Sequence, residues 1–116
     1  MEIITIIILL FGFTTLMGLY LSYLALHNKQ TPNAIIILHG FFTITGFILL
    51  SFFYPESLIT IGCFSIATLF GLILLYQDIK GIKYTKWLTY AHAIFTLGGC
   101  FFLIKLAVQV GLAFNM

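Results

Sequence analysis

Residues 34–53 read AIIILHGFFTITGFILLSFF, a stretch with no formal charge and one histidine, His39, near its start. A helix that crosses a bilayer needs roughly 20 consecutive apolar residues, and this run supplies them. His39 opens an eight-residue pattern, His-x-x-Phe-Thr-x-x-Gly, completed by Phe42, Thr43 and Gly46. The same pattern recurs without a gap at His92, Phe95, Thr96 and Gly99, inside a second apolar run. At the same offset Ile6 falls on Ile59, Phe11 on Phe64, Thr15 on Thr68, Gly18 on Gly71, Tyr23 on Tyr76 and Leu50 on Leu103. Self-similarity over so much of the chain reads as an internal repeat, residues 1–53 and 54–116, each half a pair of helices.

Composition agrees with a membrane location. Hydrophobic residues make up 62% of the chain and charged residues 7%, where a soluble domain carries about 25% charge. The apolar runs are Ile3 to Leu26, Ala34 to Phe53, Leu58 to Tyr76 and Trp87 to Phe114. Four spans leave no room for a soluble domain, so any chemistry belongs in the bilayer or at its faces. The first run is too long for a cleaved signal peptide, lacks a basic leader and matches the third run in the repeat, so it is expected to persist as a helix. The fold expected is all-α: an integral membrane four-helix up-down bundle built from a tandem repeat of two transmembrane helices.

Short polar breaks separate the runs: 27–33, 54–57 and 77–86, with Pro32, Pro55 and Gly81 marking turns. Lys29, Lys80, Lys83 and Lys86 fall in the first and third breaks, and Glu2 and Glu56 lie on the other side. The lysine bias predicts that the first and third loops face the cytoplasm and both termini face outward. Short loops make consecutive helices antiparallel neighbours, which puts the second and fourth helices on a diagonal. Because both halves run the same way through the membrane, the repeat implies a pseudo-twofold axis along its normal, carrying His39 onto His92.

Each histidine lies about six residues into its helix, roughly 9 Å from the loop side at 1.5 Å per residue. Phe42, Thr43 and Gly46 share the face of His39, and Phe95, Thr96 and Gly99 share that of His92. If those faces point inward, two imidazoles meet across the core, an arrangement suited to a bis-histidine haem. Gly46 and Gly99 are expected to make room for the porphyrin and Phe42 and Phe95 to pack on it. Thr43 and Thr96 are expected to bond their own helix carbonyls. Tyr23 and Tyr76 are placed near the depth of the histidines, and the loop lysines near the propionates. The plain alternative is that each histidine bonds a neighbouring helix; its duplication with the same neighbours favours a shared ligand.

With its transmembrane histidines the chain resembles small four-helix membrane cytochromes of b type. The strings Leu38-His39-Gly40 with Thr45-Gly46, and Tyr90-Ala91-His92 with Leu97-Gly98-Gly99, also resemble a group of short bacterial four-helix membrane proteins of no assigned function. These resemblances imply one haem b in a bacterial inner membrane, with electrons exchanged with a quinone, a small oxidant or a redox partner. Related di-haem proteins use four ligand histidines. This chain has three, and His27 is read as an exposed loop residue, so a second haem is not expected.

Two other classes remain. A small transporter or proton conductor matches the size and helix count, but no Asp or Glu lies mid-span. A non-catalytic subunit of a larger complex, or a homodimer, could use Gly12, Gly18, Gly62, Gly71 and Gly111 for close helix contacts. Cys63 and Cys100 hold non-equivalent repeat positions and read as small buried thiols. No nucleophile-base set, phosphate loop, thiolate metal cluster or nucleic-acid surface occurs, and enzymatic activity is left open.

Overall fold

The computed structural model describes residues 2–115, and side chains as far as residue 111. Four helices follow one another: α1 (Ile3–Leu26), α2 (Asn33–Phe53), α3 (Leu58–Ile79) and α4 (Lys86–Asn115). All four are long and apolar enough to cross a membrane. Phe114, the end of the fourth apolar run, falls within α4, and its side chain lies outside the described residues. The helices are apolar all round, the pattern of membrane spans; Phe52, Leu58 and Ile37 are exposed on the flanks. This is an integral membrane protein.

Helices α1 and α3 end alike. In α1 the Lys29 N–H bonds Leu24 O at 2.8 Å and the Asn28 N–H bonds Ala25 O at 3.2 Å. In α3 the Ile82 N–H bonds Gln77 O at 2.9 Å and the Gly81 N–H bonds Asp78 O at 3.2 Å. Both are Schellman closures, which satisfy otherwise orphaned carbonyls and need a left-handed residue just past the helix. Asn28 (φ 55°) and Gly81 (φ 69°) occupy that position, glycine without steric cost and asparagine as the non-glycine residue that tolerates it best. Helix α3 accordingly runs past Tyr76, where the apolar run stops, and takes Gln77 and Asp78 into its last turn.

The helices form an up-down bundle about 52 Å long. Helix α1 packs along α2 and α4, α3 packs along α4, and α2 barely meets α3. No close backbone contact joins α2 to α4 or α1 to α3 among the described residues, so those pairs are the diagonals. Lipid tails are as apolar as leucine, so close packing rather than the hydrophobic effect holds such helices together. The tightest packing is at the end away from the first and third loops, where Ile4, Ile7, Phe11, Leu50, Phe64 and Leu103 form the buried core. On the α1–α3 diagonal, Phe11 and Phe64 stack with ring centroids 4.1 Å apart and planes 13° from parallel. These two residues hold the same place in the two halves. The packed end and the weak α2–α3 contact leave the bundle hollow toward the first and third loops.

Candidate functional site

His39 on α2 and His92 on α4 face each other across the second diagonal, ring centroids 6.3 Å apart and planes 82° from parallel. Each ring is anchored on the helix beside it. His39 Nδ1 lies 2.8 Å from Thr14 O on α1, and His92 Nδ1 lies 2.7 Å from Ala67 O on α3. A carbonyl only accepts, so Nδ1 carries the hydrogen in both rings and Nε2 is left with its lone pair. Neither Nε2 meets a hydrogen-bond partner among the described residues.

Glycines make these anchors reachable. A Cβ at Gly18 would lie 2.9 Å from His39 Cε1, and one at Gly71 would lie 3.0 Å from His92 Cε1. The imidazoles therefore rest directly on the backbones of α1 and α3. Gly18 and Gly71, read from sequence as helix-contact residues, are the two that admit the histidines. Gly46 and Gly99 serve the aromatic stack instead, since a Cβ at Gly46 would lie 3.1 Å from Phe11 Cε2, and one at Gly99 would lie 2.7 Å from Phe64 Cε1. The space they leave holds the Phe11–Phe64 pair and not a porphyrin.

Beyond that stack a cavity of about 250 Å³ opens among the four helices, bordered by both histidines, Thr43 and Thr96. Ile44 and Leu72 line it while remaining exposed, so it opens sideways between α2 and α3. Thr43 Oγ1 donates to His39 O at 2.7 Å and Thr96 Oγ1 to His92 O at 2.8 Å, the backbone role the sequence suggested. Around His39 an extra hydroxyl intervenes: Thr14 Oγ1 lies 2.9 Å from Nδ1 and 2.6 Å from Thr43 Oγ1. Ala67 stands at the equivalent place beside His92, so the two imidazoles are not identical. A second crevice of about 20 Å³ reaches the same rings from the α1–α4 side, room for one water.

Four expected neighbours lie elsewhere. Phe42 sits against Phe41, and Phe95 packs on Phe70 of α3 with centroids 5.8 Å apart; neither borders the cavity. Tyr23 and Tyr76 are exposed on the bundle's outer face. The histidines dock level with residues 14–18 and 67–71, more than a turn short of these tyrosines. The lysines are outside too, Lys29 Nζ standing 5.4 Å from the Tyr23 ring centre and Lys80 Nζ 5.9 Å from that of Tyr76. His27 is exposed, its Nδ1 2.8 Å from Tyr23 O, as a loop residue was expected to be.

The cavity's loop end holds a polar cluster that sequence reasoning missed. Asp78 Oδ1 accepts from Thr31 Oγ1 at 2.9 Å and from the Tyr84 hydroxyl, while Thr31 Oγ1 lies 3.0 Å from Tyr84 Oη. Thr31 and Tyr84 occupy the same repeat position, so repeat partners meet at three levels: Phe11 with Phe64, His39 with His92, Thr31 with Tyr84. Burial, reinforced by the Asp78 carboxylate, pushes the Tyr84 phenol up to about 12. The repeat alignment could have flagged the Thr31–Tyr84 pair. Asp78, opposite Ala25 in that alignment, gave no such signal.

Cys63 and Cys100 are free thiols, and Cys100 Sγ lies 3.3 Å from Thr15 Oγ1 of α1. Among the described residues no group of three or more His, Cys, Asp or Glu side chains could enclose a bare metal ion. The chain matches no known protein family, no curated protein and no solved structure.

Proposed function

We propose that the protein is a membrane electron-transfer cytochrome holding one haem b between His39 and His92. The observation that carries this reading is the paired geometry of the imidazoles. Two nitrogens each about 2 Å from one metal ion put their ring centroids roughly 6 Å apart when both rings point at it; the observed separation is 6.3 Å. The carbonyls of Thr14 and Ala67 hold the Nδ1–H groups, as outer partners of ligating histidines do, and leave Nε2 as the ligand atom. Gly18 and Gly71 let each ring back onto a helix, and the Phe11–Phe64 stack closes the apolar end of the slot.

A haem held by His39 and His92 would supply one-electron chemistry, and ligation by both imidazoles would favour outer-sphere transfer over oxygen binding. The histidines would hold the ring, the mainly apolar helix faces would keep bulk water from it, and Thr14 beside His39 alone would make the two ligands electronically unequal. The electron partner in this reading is a quinone or a small oxidant reached through the membrane. The lysine bias of the first and third loops supports placing them in the cytoplasm, with both termini outside.

The near-perpendicular rings specify the test. Protein loaded with ferric haem should give one haem per chain and a strongly anisotropic low-spin electron paramagnetic resonance signal, the signature of crossed imidazole planes. A high-spin signal from the parent, or a low-spin signal that His92→Ala leaves unchanged, would overturn bis-histidine ligation.

A further inference from the structure

Asp78 gives the loop end of the cavity a chemistry that the histidine pair does not use. Among the described residues it is the one formally charged side chain lining the cavity. Its Oδ1 already accepts from Thr31 and Tyr84, while Oδ2 meets no partner among the described residues. The walls between Asp78 and the histidines are mainly apolar, with Leu21, Ile36, Leu74 and Leu75 among them. No cation reaches in from the described residues: Lys29 and Lys80 lie over outward-facing tyrosine rings, and Lys83 and Lys86 are exposed. At the far end the two Nε2 atoms present lone pairs, and between them and Asp78 the Ser22 hydroxyl, which meets no partner among the described residues, can donate or accept. Tyr84, its phenol held protonated, adds a donor to the carboxylate but no positive charge.

Asp78 is half-buried at the end of this apolar cavity with one carboxylate oxygen free, so a cation finds a partner there and gains more where the rest of the ligand suits the walls. A hydrated inorganic ion does not; an apolar body carrying an N–H donor does. We propose that the loop end of the cavity binds a hydrophobic primary amine as its ammonium ion, donating to Asp78 Oδ2 with its apolar body lying toward the histidines. From Asp78 to the level of Gly71 is two turns of α3, roughly 10 Å, which sets the length of body that fits. The opening between α2 and α3 admits such a ligand from the bilayer. This site rests on Asp78 and not on the haem reading, and because its ligand would lie in the cavity that a haem would share, it is tested on haem-free protein.

The test is calorimetric titration of the detergent-purified full chain with 2-phenylethylammonium, against ethylammonium, 2-phenylethanol and phenylacetate. The aromatic amine should bind one per chain and at least tenfold tighter than each of the other three, and Asp78→Asn should lower its affinity to that of the alcohol. Equal binding of the alcohol would reduce the site to an apolar hole, and equal binding of ethylammonium to a bare charge; either overturns the proposal, as does an Asp78→Asn protein that keeps the preference. If that variant does not fold, the four-ligand series on the unaltered chain decides alone. Amine binding by protein that takes up no haem would sustain this site while retiring the cytochrome.

Discussion

At the scale of single residues, the site depends on which glycine faces which ring. His39 and His92 stand out in sequence because an ionisable side chain in an apolar span is costly, and the structure brings them together across the core. Of their motif partners, Thr43 and Thr96 border the same cavity, whereas Phe42, Phe95, Gly46 and Gly99 do not. Gly46 and Gly99 share the histidines' helices and so drew attention, yet the glycines that admit the imidazoles are Gly18 and Gly71 on the neighbouring helices. Periodicity shows what shares a face of one helix; it is silent on what a facing helix must lack. Gly18→Ala sets a Cβ 2.9 Å from His39 Cε1 and should displace the ring, lowering haem occupancy at least several-fold and stability by about 1–3 kcal/mol. Gly12→Ala, with nothing within 4 Å of the added carbon, is the matched control. Comparing their Soret absorbance per chain and their thermal unfolding checks both effects; equal behaviour would remove Gly18 from the haem site.

The four elements themselves were legible, since each apolar run is one helix and the turn residues lie where helices end. What escaped was the last turn of α3. Gln77 and Asp78 are polar and looked like loop, but hydrogen bonding continues through them to the Gly81 closure, and both find partners there. Gln77 Nε2 bonds Thr85 Oγ1 at 2.9 Å, and Asp78 gathers Thr31 and Tyr84. Helix continuity therefore decides where the carboxylate sits. Gly81 is the hinge of that turn at φ 69°, a conformation that costs a side-chain-bearing residue about 1 kcal/mol or more. Gly81→Ala should lower the thermal midpoint accordingly, whereas Asn28→Gly at the equivalent end of α1 should leave it unchanged or raise it. A Gly81→Ala protein as stable as the parent would mean that this closure is not under the strain its dihedral implies.

On the scale of the whole molecule, the α1–α2 and α3–α4 hairpins are joined by packing at one end and by the Thr31–Asp78–Tyr84 cluster at the other. The hollow between α2 and α3 could not be inferred from the sequence, because neither helix carries a sequence feature that forbids closer approach. The Tyr84 hydroxyl spans the two hairpins, and its folded-state pKa of about 12 exceeds the ordinary 10.0. The folded protein thus favours the protonated phenol. Stability from this group is complete below pH 10 and is lost as pH climbs toward 12, because the unfolded chain ionises first. Thermal unfolding across that range should show the parent losing its advantage over Tyr84→Phe, and a difference that stays constant with pH would contradict the assignment.

Whether the paired imidazoles hold a haem is read from a reduced-minus-oxidised visible spectrum of the purified protein after haem loading, with His39→Ala and His92→Ala measured beside it. A bis-histidine haem predicts sharp α and Soret bands in the parent that either substitution abolishes. A colourless parent, or bands that survive loss of either histidine, would contradict it.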